Sequence, residues 1–226
     1  MSEPGAAAVV EPRRWPADAD GADALRAHLE WRTSGGRTGR ELVGHPELVL
    51  RDADLSGMDL AWLRLWHTDL TGVRMAHTDL TKTELTGALL DGADLTGARL
   101  VKTEARDCSA RSAVFARADL LGARMGGSDL RGADLRRARL NGAHLSRCDL
   151  RGADLRDAGF GPPGGGGRTV LSRARLAGSR LDGARGHILG PVDIGENDED
   201  GPQLLEGDRL ADWFRDRGAP EVHVER

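Results

Sequence analysis

A pair of histidines, a pair of cysteines and an acidic run are the residues whose types and spacing could support chemistry. His67 and His77 lie ten residues apart and are the first candidates for a zinc site. Cys108 and Cys148 are too few for a disulfide framework. The run DIGENDEDG loosely resembles a calcium loop, but a loop that starts at Glu196 has glycine, not glutamate, at its twelfth position. No spacing arranges serine, histidine and aspartate as a catalytic triad.

The composition predicts a soluble protein with an unusual core. The 226 residues leave room for one or two domains and carry a net charge of −4. Tyrosine is absent and aromatic residues make up only 4% of the chain, so the core must be built from leucine and alanine. The first residues lack the order of a signal peptide, and no apolar run approaches the roughly 18 residues of a membrane span. We expect a cytoplasmic protein that does not contact a membrane.

A leucine recurs at every fifth residue, which neither a helix nor a strand explains. From Leu50 to Phe160 this frame has 23 positions, of which 17 are leucine. Five residues turn an α-helix by about 140°, and an odd spacing sends successive strand residues to opposite faces. The chain must therefore turn within each group of five residues, here called a pentad, so that each central residue points inward. Repetition of that turn winds a solenoid.

The other positions of the pentad agree with this turn. Two residues before the centre, 22 positions from Ala53 to Ala158 hold mostly small residues, including twelve alanines. Two residues after the centre, glycine recurs, as expected at a corner that needs unusual backbone angles. Two of the centres, Ala105 and Ala110, are small and would leave the core underfilled unless Phe115 reaches across or the solenoid bends.

The segments ADLSG, TDLTG, ADLTG and RGADL resemble the pentapeptide-repeat family, whose motif is roughly A(D/N)LXX. The resemblance covers about half of the chain without a break. It implies an all-β fold, a right-handed quadrilateral β-helix with four pentads per coil, to which this chain adds short flanking N- and C-terminal helices. The 23 pentads would make nearly six coils, and about 4.8 Å between strands gives a height of about 28 Å.

The repeat divides the chain into six segments, and a solenoid needs caps at its two ends. The predicted segments are a disordered N-terminus at 1–19, an N-terminal helix and cap at 20–48 with Asp20 as N-cap, the β-helix at 49–160, a Gly/Pro loop insertion at 161–168, final repeats at 169–185, and a C-terminal acidic segment with a helix at 186–226. The loop is not a phosphate cradle because no Gly-Lys-Ser/Thr sequence follows it.

The last segment contains an amphipathic helix, DRLADWFRDRG, to whose two ends Asp208 and Gly218 are suited. Leu210, Trp213 and Phe214 form an apolar stripe on it. Two interpretations are open. The stripe either caps the last coil or forms a homodimer contact, since some pentapeptide-repeat proteins dimerise through their C-termini.

The four-pentad coil places the candidate residues for chemistry too far apart to form a site. Residues ten apart lie on opposite sides of such a coil, which separates His67 from His77. Cys108 and Cys148 share one column two coils apart, about 9.6 Å, beyond the reach of a disulfide. Leucine and alanine fill the interior and leave no cavity for a substrate. We therefore expect a non-catalytic protein without catalytic, cofactor-binding or metal-binding residues.

Function must then lie on the outer walls, where charge is uneven. The net charge is −3 over 51–105, +4 over 106–160, +4 over 161–190 and −7 over 191–226. Residues 20 apart stack in the four-pentad coil, which places arginines in two ladders on neighbouring walls: Arg111, Arg131 and Arg151, then Arg136 and Arg156. Asp129 and Asp149 favour ion pairs with the first ladder and hence a mixed-charge wall. The alternative is a basic patch for an anionic partner or for the acidic tail.

Trp62 and Trp66 occupy outward positions in the early coils. Two exposed tryptophans are unusual away from a contact. They either lie under the N-terminal helix or anchor a partner, since tryptophan is enriched among binding hot spots.

The leading functional hypothesis is a non-catalytic scaffold that binds an unidentified protein through its walls. The alternative follows from the resemblance: fluoroquinolone-resistance proteins of the family resemble duplex DNA in size and charge and bind DNA gyrase, and related proteins protect antibiotic producers from topoisomerase poisons. Residues 51–160 hold 16 acids and 17 bases, however, whereas a DNA mimic should carry broad negative potential. Direct nucleic-acid binding by the arginine ladders is disfavoured because aromatic residues are not interleaved with them.

Overall fold

The structure, a computed structural model, is a stack of four-sided coils with a helix at each end. It describes residues 10–35, 41–162, 167–196, 199 and 201–225. The regular elements in chain order are α1 (Ala19–Thr33), β1 (Thr169–Val170), β2 (Arg185–Leu189), β3 (Val192–Asp193), β4 (Leu204–Leu205), α2 (Gly207–Asp216) and β5 (Glu221–Glu225). No helix in the described part of the chain is long and apolar enough to cross a membrane.

Each side of a coil contributes a single bridged residue. Parallel bridges join residues 20 apart, beginning with Val49 and Asp69 and continuing to Arg139 and Gly159. Since one side is one pentad, this offset gives four sides per coil. Continuous strands are confined to β1–β5, in a parallel sheet β1-β2-β5 and an antiparallel pair β3-β4. The expected all-β class therefore holds in the coarser sense of a β-helix solenoid built from isolated bridges.

The corners of the coils between residues 52 and 157 share a left-handed backbone. All 22 residues that follow a pentad centre by two positions, from 52 to 157, have φ between 53° and 78°. Ten of them are glycine, as the sequence pattern predicts, but twelve are not. The left-handed region costs an L-residue about 1–2 kcal/mol, so the ladder of hydrogen bonds imposes this conformation on residues that do not favour it.

The interior explains why threonine, serine and cysteine share the small position with alanine. Thr78 donates its hydroxyl to the carbonyl of Leu55, the pentad centre 23 residues earlier, at 3.0 Å. The same bond is made by Thr83, Thr103, Cys108, Ser128 and Cys148. A small polar side chain is thus satisfied at each of these sites by the preceding coil, as burial requires. Thr68 lies in the first complete coil, and its hydroxyl has no partner among the described residues.

The two alanine centres lie in one coil with a phenylalanine. Ala105, Ala110 and Phe115 are the centres of three consecutive sides, and all are buried. Residues ten apart face each other across a coil, so Phe115 lies opposite Ala105 and next to Ala110. Its ring is among the largest fully buried side chains of the protein. The predicted underfilling is thus met by a larger side chain in the same layer.

The N-terminal end is covered by α1. Its N-cap is Asp18, whose carboxylate accepts a hydrogen bond from the Gly21 N–H at 2.7 Å, and not Asp20, which lies in the first turn. Leu25 and Leu29 face the first coil and are buried. His28 lies between them, and its Nδ1 accepts from the Leu42 N–H at 3.2 Å. Burial lowers the pKa of His28 to about 4, which keeps the ring neutral.

The segment that precedes α1 makes defined contacts, although the sequence pattern predicts disorder over 1–19. Arg14 bridges Asp54 in antiparallel fashion, and the Arg13 N–H donates to the Asp54 carbonyl at 2.8 Å. The backbone of this segment thus pairs with the edge of the first coil. Residues 1–9 of the predicted disordered segment lie outside the described residues.

The ladder continues past the predicted Gly/Pro loop. The bridge of His144 with Val170 spans 26 residues, so six residues are inserted between these coils. Positions 163–166 of the loop lie outside the described residues, as do 197, 198 and 200 of the acidic run. Beyond the boundary expected at 185, β2 pairs in parallel with both β1 and β5. The chain end therefore returns to extend the last coil.

Candidate interaction surface

The first arginine ladder is neutralised by aspartates of its own wall. Arg131 contacts Asp129 at 2.6 Å, and Arg151 contacts Asp149 at 2.5 Å. The Nε of Arg111 donates to Asp129 at 2.6 Å. The residues just before and just after a centre project to the same side of the wall, so an Asp-Leu-Arg sequence forms its own ion pair. The hydrogen bond from Arg131 holds the pKa of Asp129 well below its usual range.

The second ladder follows the same rule. Arg136 contacts Asp134 at 2.6 Å, and Arg156 contacts Asp154 at 2.6 Å. Asp154 also lies 3.5 Å from Arg180 in the next coil. Both ladders are therefore mixed-charge walls, and the contacts do not support the alternative of a bare basic patch.

Trp62 lies at a corner of an early coil and is 64% exposed. It is not covered by α1, in contrast to one of the two interpretations of the sequence. The Nζ of Lys82 sits 3.9 Å from the centre of its ring, and exposed cation–π contacts contribute about 0.5–1 kcal/mol. Lys82 and Lys102 follow Trp62 at steps of 20 residues, which places the three in one corner column, and they are the two lysines of the chain. Neither lysine has an ion pair among the described residues.

Trp66 stands at the other end of the same coil side. It is partly buried, and the guanidinium of Arg64 lies 5.6 Å from its ring centre. Arg64 also approaches Glu41 at 3.6 Å. The structure thus brings Trp62 and Trp66 to the two edges of one wall, with an arginine between them. Sequence reasoning missed the two lysines, although their spacing of 20 from Trp62 could have identified the column.

The apolar stripe of α2 is buried within this chain. Leu210 and Phe214 are fully buried, and Trp213 is 8% exposed. The Phe214 ring meets Phe160, the last centre before the loop, edge-on at 6.5 Å. Arg217 lies over the outer face of Trp213 at 4.1 Å. A homodimer contact through these three side chains would require α2 to leave the last coil.

The residues that suggested chemistry are kept apart by the coil. His67 and His77 lie at different corners, against Gly87 and Gly97 of the next coil. Burial raises the pKa of the Cys108 and Cys148 thiols to about 12, which leaves them unreactive at neutral pH. Within the described ranges, no three His, Cys, Asp or Glu side chains are grouped so that they could hold a metal ion.

Comparison with solved structures finds several proteins of similar construction. HetL, a pentapeptide repeat protein involved in heterocyst differentiation regulation in the cyanobacterium Nostoc, shares 26% identity over 87% of this chain and 92% of its own, with a TM-score of 0.31. A pentapeptide repeat protein of the Arabidopsis thaliana thylakoid lumen shares 25% identity over 46% of this chain and 66% of its own, with a TM-score of 0.34. Trypsin-treated QnrB1, a plasmid-mediated fluoroquinolone resistance protein, shares 17% identity over 75% of this chain and 84% of its own, with a TM-score of 0.48.

The sequence itself matches one family. No curated protein sequence matches the chain. The family of pentapeptide repeats matches in eight copies, over residues 49–87, 59–97, 93–132 and 128–160. These ranges coincide with the bridged coils and their period of five. The chain therefore belongs to the pentapeptide repeat family.

Proposed function

We propose that this protein is a non-catalytic scaffold that binds a protein partner through the wall between Trp62 and Trp66. The observation that carries the proposal is the 64% exposure of Trp62. An exposed tryptophan offers a partner a large apolar surface with little conformational entropy to lose, and tryptophan is enriched among binding hot spots.

The charges around Trp62 also support this surface. Lys82 and Lys102 continue the same corner column, and neither is neutralised by an acid among the described residues. Elsewhere on the solenoid, the arginine ladders are neutralised by aspartates two residues away. The Trp62 column therefore combines an apolar group with uncompensated charge, which favours a partner that supplies both apolar and acidic side chains.

The filled interior favours binding over catalysis. The pentad centres from Leu50 to Phe160 are at most 1% exposed, which leaves no room for a substrate inside the coils. Proteins of this family generally act as structural or binding proteins. The outer walls are therefore the surface on which we expect function.

Binding of DNA gyrase as a DNA mimic is the alternative that the family suggests. The ion-paired walls offer no broad negative surface, and the likeness to QnrB1, at 17% identity and a TM-score of 0.48, does not identify a target for this chain. A supercoiling assay with gyrase, a quinolone and the protein tests it. Protection or inhibition at micromolar protein would replace the scaffold proposal.

The scaffold proposal is tested by removing the Trp62 ring without strain. Trp62 has φ 67°, so Trp62→Gly suits the backbone and should preserve the fold. The immobilised protein should recover a partner from extracts of the cells that produce it, and the variant should bind that partner at least about tenfold more weakly, as expected for a hot spot.

The matched control is His77→Gly, which removes another ring from a corner with φ 59°. It should leave partner binding unchanged because His77 lies on a different corner of the coil. Equal partner recovery by the wild type and by Trp62→Gly combined with Trp66→Ala would exclude this wall as the binding surface.

A further inference from the structure

Another corner of the solenoid holds two neighbouring arginines, Arg147 and Arg173, with no acidic residue between them. Arg147 and Arg173 hold the same corner in consecutive coils, where the Arg147 N–H donates to the Ser172 carbonyl at 3.0 Å. Both are exposed, and both have left-handed backbones, with φ of 60° and 58°. Neither guanidinium has an ion-pair partner within the described part of the chain, unlike the arginines of the two ladders.

The coil above the arginines leaves a recess. Gly126 and Gly127 stand over Ser146 and Arg147 and have no side chains to fill the corner. The resulting groove has a volume of about 670 Å³ and is also lined by Ser146, Ser172 and Arg173. Neither serine hydroxyl makes a hydrogen bond with the described residues. The groove therefore offers two guanidinium forks and two free hydroxyl donors.

The charge of the groove selects an anion. Arg106, Arg147 and Arg173 line it together with one acid, Asp107. Arg106 is paired with Glu104 at 3.5 Å, which leaves Arg147 and Arg173 as the two arginines of the groove without an ion pair among the described residues. The Asp107 carboxylate lies across Gly127, 2.2 Å from the place that a Cβ would take there. It is not within ion-pair distance of Arg147 or Arg173. A ligand that supplies two negative charges would therefore compensate the two arginines.

The geometry favours phosphate over carboxylate. A carboxylate presents two oxygens in one plane and satisfies a single guanidinium fork, whereas a phosphate group directs three or more oxygens tetrahedrally. Adjacent coils are separated by about 4.8 Å, so Arg147 and Arg173 extend from corner positions that lie one above the other, and linked phosphates can engage both guanidinium groups. We propose that this groove, formed by Arg147, Arg173, Ser146 and Ser172, binds the phosphate groups of a short polyphosphate chain.

A second corner provides a matched contrast. Arg117 and Arg137 also hold one corner in consecutive coils, with φ of 60° and 59°. The next residue of that column is Asp157, whose carboxylate lies 3.5 Å from Arg137. This corner therefore has the same number of arginines and the same backbone, but its acid lies within ion-pair distance of one arginine, whereas Asp107 lies within that distance of neither Arg147 nor Arg173.

The test is calorimetric titration of the full chain at low ionic strength with tripolyphosphate, inorganic phosphate and citrate. Tripolyphosphate should bind saturably, inorganic phosphate more weakly, and citrate at least about fivefold more weakly than tripolyphosphate because its carboxylates fit one fork at a time. Combined Arg147→Gly and Arg173→Gly should weaken tripolyphosphate binding about tenfold or more. The melting temperature of this variant should not fall, since glycine suits both corners.

The control removes the other pair of arginines. Combined Arg117→Gly and Arg137→Gly should change tripolyphosphate binding by less than about twofold, because these arginines lie at the opposite corner of the coil and Asp157 already compensates Arg137. The proposal is overturned if both double variants weaken binding equally, if citrate binds as tightly as tripolyphosphate, or if no saturable binding occurs at millimolar tripolyphosphate. Partner binding through Trp62 is independent of every one of these outcomes.

Discussion

The centre and the corner of a pentad lie two residues apart and differ in almost every respect. The centres from Leu50 to Phe160 are mostly leucine and are all buried. The corners include glycine, aspartate, serine, histidine, lysine, arginine and tryptophan, although each of them has a left-handed φ. The centres therefore specify the solenoid, while the corners vary in spite of backbone strain. The corners are therefore the positions at which the side-chain chemistry differs most from one pentad to the next.

The same difference applies to charge. An arginine directly after a centre, such as Arg131, finds the aspartate that precedes that centre. An arginine at the corner, such as Arg137, lies past the turn and pairs with Asp157 of the next coil instead of Asp134 of its own pentad. One step along the chain thus decides whether a guanidinium is neutralised by its own pentad. Corner residues are therefore the first places to look for binding.

The largest effect is expected at a centre. Phe115→Ala should destabilise the protein by about 3–5 kcal/mol, as for other buried phenylalanines. The reason is local: Ala105 and Ala110 in the same coil cannot fill the cavity, and the bridges fix the walls. Urea denaturation measures the change. Leu135→Ala, at the equivalent centre one coil later, is the matched control and should cost less because its coil has no alanine centres. A larger loss for Leu135→Ala would show that the Phe115 layer does collapse.

Much of this fold follows from the sequence, because the decisive interactions repeat. The period of five places Leu50 and every later centre inside, and the family resemblance supplies four pentads per coil. The structure at the ends of the solenoid cannot be predicted from the sequence in this way. Whether Asp18 or Asp20 caps α1 depends on where the helix docks on the first coil, and the pairing of Arg14 with Asp54 is a single long-range contact without a sequence period.

For the same reason, only part of the candidate surface could be predicted from the sequence. Asp129 and Asp149 lie two residues from their arginines, so the ion pairs of the ladder could be anticipated. The exposure of Trp62 could not, since it depends on which side of the first coil α1 covers. The groove beside Arg147 requires residues of five consecutive coils, from Arg106 to Pro191, and an offset changed by the loop insertion. A fixed spacing of 20 does not connect Arg147 to Arg173.

A smaller effect is expected where a corner glycine receives a side chain. Gly127→Ala should destabilise the protein by about 1–2 kcal/mol from the left-handed φ of 78°, and further because the new methyl meets the Asp107 carboxylate. Gly57→Ala is the matched control, with φ 77° and nothing within 4 Å of the added methyl. Thermal melts of both variants separate the two causes. Equal losses would mean that Asp107 moves aside freely and that only the backbone restricts the corner.

The smallest effect concerns an ion pair beside a centre. Asp129 accepts hydrogen bonds from Arg131 and Arg111, which lower its pKa below the ordinary 3.8. Its stabilising contribution is therefore fully present above pH 3.8 and is lost as the pH falls through the lowered pKa of the folded state. Asp129→Asn should reduce stability at neutral pH by less than about 1 kcal/mol, because both arginines are largely solvated. Denaturant titrations of both proteins from neutral pH down into this acid range should show the difference narrowing as Asp129 is protonated. If the difference in stability between the two proteins stays constant with pH, the carboxylate of Asp129 acts through its shape and not through its charge. The contrast between neutralised walls and charged corners would then lose its electrostatic basis.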